Sequence, residues 1–302
     1  MPYSDIENSV VRTLLYYDIF SHPLTMRELF CLLPQNSLTE KDFVPILDDL
    51  MQKGVITSDN GFLALSQQKD RIGVMRCERE RRAQRRLRTA RLMAGIMKQF
   101  PFVRAVFLSG DLSKGVATPD SDIDYVIVTE PHRLWICRFL LICFKKIFLL
   151  NQKKYFCLNF FLDSDHLPHE EHNYYSATEI AHLKPLFNQS LYLRYMNANS
   201  WIHEYFPNYR LSVLCTHSVN NAQSIIQKII ELPLRGTWLN RLDRRLMNFM
   251  IGIWKKRYPQ IDESTRAEIF HSTAHESRAF VGNFSSKILD LYAEKLRQYG
   301  LG

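Results

Sequence analysis

The sequence predicts an α+β protein built around a small mixed β-sheet with helices. Residues 105–108 and 123–128 are short runs rich in β-branched and aromatic residues, and a polar loop containing Gly115 and Pro119 joins them. Helical patterns occupy most of the remaining chain, which is long enough for about two domains. The predicted organisation is a front module at 1–66, a basic connecting helix at 67–100, the sheet core at 101–175 and a mostly helical region at 176–302.

Composition and charge indicate the solubility of the protein, the kind of partner it binds and the state of its cysteines. A hydrophobic share of 46% and a charged share of 23% are typical of a water-soluble protein. The net charge of +8 favours polyanionic partners, which include nucleotides, nucleic acid and acidic lipid surfaces, without choosing among them. The six cysteines show no C-x-x-C pairing, so we expect reduced thiols and a cytoplasmic protein.

Targeting and membrane-spanning segments are not predicted. The first eight residues include acidic side chains, and no apolar stretch follows a basic start, so a signal peptide is not expected. The longest apolar run, residues 134–150, is interrupted by Arg138, Lys145 and Lys146 and is too short to cross a bilayer. It predicts a helix buried in the protein and no membrane insertion.

The front module combines three predicted helices with a hairpin. Ser4 caps a helix that reaches residue 20, residues 24–33 form a second, and Thr39 caps a third over 40–53. The turn Asp59-Asn60-Gly61 then joins two short strands. This arrangement resembles a winged helix, whose third helix normally reads DNA. That helix contains Glu40, Asp42, Asp48 and Asp49, so packing or partner binding is favoured over DNA binding.

Residues 76–91 hold eight arginines against Glu78 and Glu80 on the predicted connecting helix. A solvent-exposed helix with i,i+4 pairs such as Glu78 with Arg82 is the favoured interpretation. The excess of positive charge leaves a nucleic-acid or acidic-substrate surface between Arg76 and Arg91 as the alternative. Base stacking is not indicated, because no aromatic residues are interleaved with the arginines.

An acidic pair opens the second strand of the core. Asp122 and Asp124 are two residues apart, so both carboxylates project from one face of a strand. Charged oxygen ligands suit Mg²⁺ or Mn²⁺, which fill their other positions with water and substrate phosphates. Gly110 and Gly115 allow a backbone to approach those phosphates, and Lys114 offers a neutralising charge.

The glycine turn, the polar loop and the S-D-I-D sequence together resemble the nucleotidyltransferase superfamily that includes DNA polymerase beta. The resemblance covers residues 102–129. It implies a Mg²⁺-dependent transfer of a nucleoside monophosphate from an NTP to an acceptor that the sequence does not identify. It also implies a metal site at Asp122 and Asp124, and one wall of a nucleotide cleft formed by the helical region that follows. The nucleotide-binding positions that it implies are Ser109, Gly110, Asp111, Lys114, Gly115 and Ser121.

Two positions depart from the family pattern. Asp111 stands where the family has a phosphate-binding Ser, and a carboxylate repels a triphosphate unless a cation lies between them. Asn159, on a third strand predicted at 155–162, occupies the place of the third catalytic carboxylate and cannot act as a strong base. Asp163 is expected on the same strand face but about 13 Å further along. An active enzyme, a degenerate NTP-binding or regulatory protein and a nucleic-acid-binding regulator are therefore the three hypotheses.

Histidines outside this core receive no functional assignment. His166, His169 and His172 lie near Asp165 in a Pro-containing polar loop, where a solvated connection is favoured over a structural zinc site. His271 and His275 are four residues apart, but the H-E-x-x-H pattern is absent. Beyond this loop, helices are predicted over residues 177–205, 218–232, 236–257 and 285–299.

Overall fold

The computed structural model describes residues 4–34, 38–68, 71–211, 219–234, 236–262, 265, 270–278 and 284–301. The front module is built from α1 (Asp5–Asp18), β1 (Leu24–Thr25), α2 (Met26–Cys31), α3 (Glu40–Gln52), β2 (Ile56–Asp59) and β3 (Phe62–Leu65). Ser4, Thr25 and Thr39 begin the three helices, each through a capping box that satisfies free backbone N–H groups. The second helix starts later than predicted, because Leu24 and Thr25 pair with β3.

A three-stranded sheet completes this module, with the strand order β1-β3-β2 and antiparallel pairing throughout. Asn60 and Gly61 both have positive φ, 53° and 80°, at the turn between β2 and β3. Such a turn matches the twist of a hairpin, which is why an Asn-Gly pair joins these strands.

A long helix leads from the front module to the sheet core. After a 3₁₀ turn at Ser66–Gln68, α4 (Ile72–Met97) extends for 26 residues. Ala83, Ala90, Ala94 and Met97 are its buried residues on the core side, and the small side chains allow close packing against the sheet. The helix begins five residues later than the sequence predicted.

The described residues form a central sheet of five strands, in the order β7 (Lys184–Phe187), β4 (Val103–Ser109), β5 (Asp124–Thr129), β6 (Cys157–Asp163) and β8 (Glu276–Arg278). Strands β5 and β6 are parallel and the other neighbours are antiparallel, so the sheet is mixed as predicted. A parallel pair needs a crossover, which α6 (Leu134–Phe148) supplies. The elements from β4 to β6 are β4 (Val103–Ser109), α5 (Gly110–Ser113), β5 (Asp124–Thr129), α6 (Leu134–Phe148) and β6 (Cys157–Asp163).

The region predicted as helical also supplies both edge strands. Its elements are α7 (Tyr174–His182), β7 (Lys184–Phe187), α8 (Gln189–Ala198), α9 (Ile202–Tyr205), α10 (Ile225–Glu231), α11 (Trp238–Arg257), β8 (Glu276–Arg278) and α12 (Phe284–Gln298). The prediction of one helix over 177–205 is wrong, because Pro185 interrupts it and lies instead in an edge strand, where a missing N–H is tolerated. Helix α10 also begins later than the predicted residue 218, which lies outside the described residues, as does Cys215.

Two hydrophobic clusters cover the two faces of the sheet. One joins Phe107, Val126 and Leu162 to the front module, α7, α8 and α12. The other packs Val106, Ile127 and the opposite side chains of the sheet against α4, α6 and α11. The front module thus shares a core with the centre of the protein, and the predicted domain boundaries stay a prediction. None of the described helices combines the length and apolar character needed to cross a membrane.

Candidate active site

A cavity of about 760 Å³ opens on the face of the sheet that α7 covers. The predicted site residues converge here, apart from Gly115, which ends the α5 turn with φ 76° and does not line the cavity. From the β4–β5 segment and β6, the lining includes Ser109, Gly110, Asp111, Lys114, Ser121, Asp122, Asp124 and Asn159. From more distant segments it includes Phe20, His169, Glu171, Tyr175, Glu179, Arg278 and Ser285.

The glycine turn lies directly against the acidic pair. Gly110 follows the last residue of β4 with φ 67°, a left-handed conformation that favours glycine. A Cβ atom at this position would lie 2.5 Å from Oδ2 of Asp124. The hydroxyl of Ser113 donates to the Gly110 carbonyl at 2.7 Å and holds the turn. Glycine is therefore required for the backbone to pass this close to the carboxylate.

Asp122 and Asp124 both line the cavity, with the buried Ile123 between them pointing to the opposite side of the sheet. Burial raises the pKa of Asp124 to about 6, and the neighbouring Asp122 charge adds to the increase, while the side chains of Cys157 and Asn159 oppose it. When both carboxylates are ionised, this pair carries the repulsion between its two charges, and a cation between them would relieve it. Its oxygen donors fit a hard divalent cation such as Mg²⁺, which retains water and phosphate ligands at its other positions.

Asn159 reaches the acidic pair through a β-bulge. Tyr125 pairs with Leu158 and Val126 with Phe160, which leaves Asn159 as an extra residue on β6. Its Nδ2 donates to Oδ1 of Asp124. The Cys157 thiol donates to Oδ1 of Asn159 at 3.0 Å. In this arrangement Asn159 orients Asp124 and presents a donor to it.

The bulge also corrects one expectation about β6. Asp163 was predicted to share the strand face of Asn159. Beyond the bulge, Phe160 and Leu162 face the cluster that contains Val126, whereas Phe161 faces the opposite cluster. Asp163 alternates with Leu162 and so lies on the side of Phe161, at the far end of the strand.

Lys114 and Asp111 are both engaged by neighbours. Nζ of Lys114 lies 2.6 Å from Oε1 of Glu179 on α7, and the lysine side chain is buried. Oδ2 of Asp111 accepts a hydrogen bond from the Ser121 hydroxyl at 2.7 Å, within the same loop. The charge of Lys114 is thus already compensated, and Asp111 holds the loop that presents the acidic pair.

The far wall comes mainly from the region in which the resemblance implied a cleft wall without naming any of its residues. Nη1 of Arg278 on β8 pairs with Glu171 at 2.7 Å, and the same guanidinium binds Glu276. Burial, together with the Arg278 charge, lowers the pKa of His169 to about 3, so that its imidazole is neutral. No local pattern marks Glu171, Glu179 or Arg278, because they meet only in the folded chain.

Arginines of α4 contact two different parts of the protein, the front module and the β4–β5 loop. Arg76 is buried against Glu28 and Glu80, and Arg79 donates to the carbonyl of Ser21 at 2.7 Å. Arg82 and Arg86 donate to carbonyls of the β4–β5 loop, at Ala117, Pro119 and Ser121. These four arginines fasten the front module and the acidic loop to α4. The exposed arginines of the helix are Arg81, Arg85, Arg88 and Arg91.

The three loop histidines point in different directions. His166 contacts Asp163, His169 lines the cavity, and His172 stacks on Trp201 with ring centroids 4.1 Å apart. The prediction that Asp165, His166, His169 and His172 do not form a zinc site stays a prediction.

Residues 91–171 match the family model of the nucleotidyltransferase domain. This segment of the chain is therefore similar to a nucleotidyltransferase domain. The match contains β4, the glycine turn, the acidic pair, α6 and β6, and it supports the superfamily resemblance of the sequence. It ends at Glu171, before Glu179 and Arg278 of the far wall. Comparison with curated proteins and comparison with solved structures each gave no match.

Proposed function

We propose that this protein is a Mg²⁺-dependent nucleotidyltransferase that moves a nucleoside monophosphate from an NTP to an acceptor. The observation that supports this function best is the convergence of Asp122, Asp124 and the Gly110 turn on one cavity, inside the segment that matches the nucleotidyltransferase domain. A cavity of about 760 Å³ falls within the range of small-molecule and cofactor sites.

In this proposal each residue has a distinct task. Asp122 and Asp124 hold Mg²⁺ or Mn²⁺, which stabilises charge on phosphoryl oxygens and orients the reacting groups. Ser109, the Gly110 backbone and Ser121 line the place for the phosphates. Asn159 positions Asp124 through its hydrogen bond and is a positioning residue rather than a base. Lys114 remains with Glu179 and contributes to phosphate binding only when that pair opens.

The negative charge of the cavity bears on how a nucleotide can bind there. Among the described residues, five carboxylates line it, against two basic side chains that are each already paired with carboxylates, so a bare triphosphate meets net repulsion. We therefore expect nucleotide affinity to depend on a divalent cation. The carboxylates are Asp111, Asp122, Asp124, Glu171 and Glu179, and the basic residues are Lys114 and Arg278.

Pyrophosphate release tests this function directly. The four NTPs are incubated with the protein and Mg²⁺ or Mn²⁺, and wild type is compared with Asp124→Asn. Asp120→Asn is the matched control, because Asp120 is exposed in the same loop and does not line the cavity. We expect metal-dependent release from wild type and control but not from Asp124→Asn. Equal release from all three proteins, or none from any NTP, would reject the enzyme.

A non-catalytic Mg-NTP-binding or regulatory role is the second candidate. Two observations favour it: Lys114 is paired with Glu179, and a neutral amide stands beside Asp124. Metal-dependent nucleotide binding by equilibrium titration, without any pyrophosphate, would assign this function instead.

Nucleic-acid binding through α4 is a third candidate, supported by the exposed stripe of Arg81, Arg85, Arg88 and Arg91. Affinity for DNA or RNA should then fall steeply with salt and with charge reversal of these arginines. We also propose that the front module is winged-helix-like and serves packing or partner binding, because Arg76 and Arg79 attach it to α4.

A further inference from the structure

A second group of ligand-type side chains lies at the far end of β6. Asp163 ends this strand and is fully buried, and its two carboxylate oxygens face two histidines. Oδ1 lies 2.7 Å from Nδ1 of His166, and Oδ2 lies 2.7 Å from Nδ1 of His275. The imidazole rings stack with centroids 3.7 Å apart. Three side chains from two distant segments thus converge on one point.

The geometry of this group matches a cation site more closely than a surface ion pair. One ligand atom from each residue can be chosen so that all three lie within 4.8 Å of one another. Neighbouring ligands of a tetrahedral zinc ion, bound at about 2.0–2.2 Å, lie ~3.3 Å apart. The two contacts of 2.7 Å therefore need to open by about half an ångström to admit an ion, and the other separations between ligand atoms, which are at most 4.8 Å, need to close.

Backbone contacts hold the group in place. Oδ1 of Asp163 also accepts the N–H groups of Asp165 and His166, each at 3.0 Å, and the Asp163 N–H donates to the His275 carbonyl at 3.0 Å. The carboxylate is therefore oriented before any ion arrives. The side chains of His166 and His275 are 52% and 34% exposed, which leaves the site open to solvent on one side.

We propose that Asp163, His166 and His275 bind a divalent transition-metal ion, with Zn²⁺ as the representative probe. Two imidazole nitrogens and one carboxylate suit zinc and its neighbours, whereas Mg²⁺ prefers oxygen ligands alone. The site differs in ligands and in strand face from the acidic pair of the cavity, and it does not depend on the proposed transferase activity. Solvent completes its coordination on the exposed side.

The ion would fasten the segment 270–278 to the end of β6. His275 directly precedes β8, whose Arg278 lines the cavity and binds Glu171. Binding at Asp163 therefore stabilises the edge strand that brings this guanidinium to the cavity. The expected result is a folded state that is more stable with the ion than without it.

The test uses the full chain stripped with a chelator and dialysed, then titrated with Zn²⁺ by calorimetry in excess Mg²⁺. The excess Mg²⁺ occupies the acidic pair of the cavity, so that the measured heat comes from zinc binding at the second site. We expect one zinc per chain in wild type, and at least a tenfold loss of affinity in His166→Ala and in His275→Ala. Co²⁺ titration should give a visible absorption band in wild type that both variants lose.

Two controls separate this site from its alternatives. His172→Ala removes a histidine of the same loop that stacks on Trp201, and it should bind zinc as wild type does. Asp122→Asn with Asp124→Asn should also leave zinc binding unchanged. No zinc binding by wild type overturns the proposal, as does a loss in either control as large as in His166→Ala. Metal-free unfolding curves of each variant establish that a loss of binding is not a loss of folding, and His166→Gln repeats the test if His166→Ala does not fold.

Discussion

The cavity has two walls of different origin. The near wall, formed by residues 109–124 with Asn159, lies within the segment that matches the nucleotidyltransferase domain. The far wall is assembled from the end of that segment, with His169 and Glu171, and from α7 and β8 beyond it, with Glu179 and Arg278. The near wall supplies the acidic pair and the glycine turn. The far wall decides how much of the near wall's charge is available to a ligand, since Glu179 neutralises Lys114.

This difference shows why a recognisable motif does not by itself define a working site. Lys114 occupies the basic position of the pattern, yet its charge is shared with a glutamate 65 residues later in the chain. The side chains opposite the motif are therefore as informative as the motif. Three kinds of substitution test this comparison, and they are given from the largest expected effect to the smallest. They remove the acids of the near wall, separate the two walls, or alter single charges.

The largest effect is expected from the near wall. Asp122→Asn with Asp124→Asn should reduce nucleotide transfer at least about a hundredfold, because a metal contributes several kcal/mol of charge stabilisation. The same variant should lose the stabilisation by Mg²⁺, about 2.7 kcal/mol at a hundred times Kd. Thermal melts with and without Mg²⁺ measure the second quantity, and Asp120→Asn should behave as wild type. A wild-type melt that does not respond to Mg²⁺ or Mn²⁺ would remove the proposed site.

The contact between the two walls gives the next largest effect. Lys114→Met should destabilise the fold by about 2–3 kcal/mol, less than the loss for a fully buried pair because Glu179 is partly exposed. Lys146→Met, at an exposed position on α6, is the control and should change stability by less than about 0.5 kcal/mol. Urea unfolding of both single variants, Glu179→Gln and the double variant isolates the pair energy. Additive losses would show that the two walls are not coupled here.

The neutral imidazole of the far wall predicts a pH dependence. The pKa of His169 is about 3 in the folded protein, against an ordinary value of 6.5, so below pH 6.5 the unfolded chain binds a proton that the folded chain does not. Stability should therefore fall as pH decreases, by about 2 kcal/mol between pH 7.5 and pH 5 from this residue. His169→Gln should lose this part of the decrease. Chemical denaturation at pH 7.5 and pH 5 compares the two proteins, and parallel decreases would contradict the assignment.

A third carboxylate can be added to the near wall at position 159. Asn159→Asp replaces the donor to Asp124 with another oxygen ligand, and it should tighten Mg²⁺ binding about tenfold. It should raise the transfer rate more than nucleotide affinity, because a metal ligand acts on the chemical step. Metal titration and single-turnover pyrophosphate release separate the two constants. If Asn159→Ala abolishes a robust wild-type activity, the amide already serves the reaction and the degenerate interpretation is wrong.

The smallest effect is expected at the loop aspartate. Asp111→Ser removes one carboxylate from the cavity and should strengthen NTP binding about two- to fivefold at low salt. The gain should shrink as salt is added, because screening weakens the repulsion that was removed. Asp120→Ser, in the same loop but outside the cavity, is the control. An affinity that does not change, or falls, would show that the contact of Asp111 with Ser121 matters more than its charge.

Local sequence patterns predicted much of the near wall. The predicted caps Ser4 and Thr39, the Asn60-Gly61 turn and the alternation around Asp122 and Asp124 depend on interactions within a few residues, so they can be read without the fold. The placement of Asn159 beside Asp124 followed from the family resemblance, whereas the bulge that directs its side chain was not predicted. A bulge is set by register with β5, and register belongs to the pairing of two strands.

Tertiary structure alone decided the charge balance of the cavity and the cluster at Asp163. Glu179 reaches Lys114 because α7 packs on the sheet, and His275 reaches Asp163 because β8 pairs with β6 more than a hundred residues away. The strand β7 was missed for the same reason, since an edge strand is fixed by its partner more than by its own four residues. The sequence by itself determined the acidic pair, the glycine turn and the caps. Contacts between distant segments are set by how the hydrophobic faces of the sheet are covered, and no single stretch of sequence contains that information.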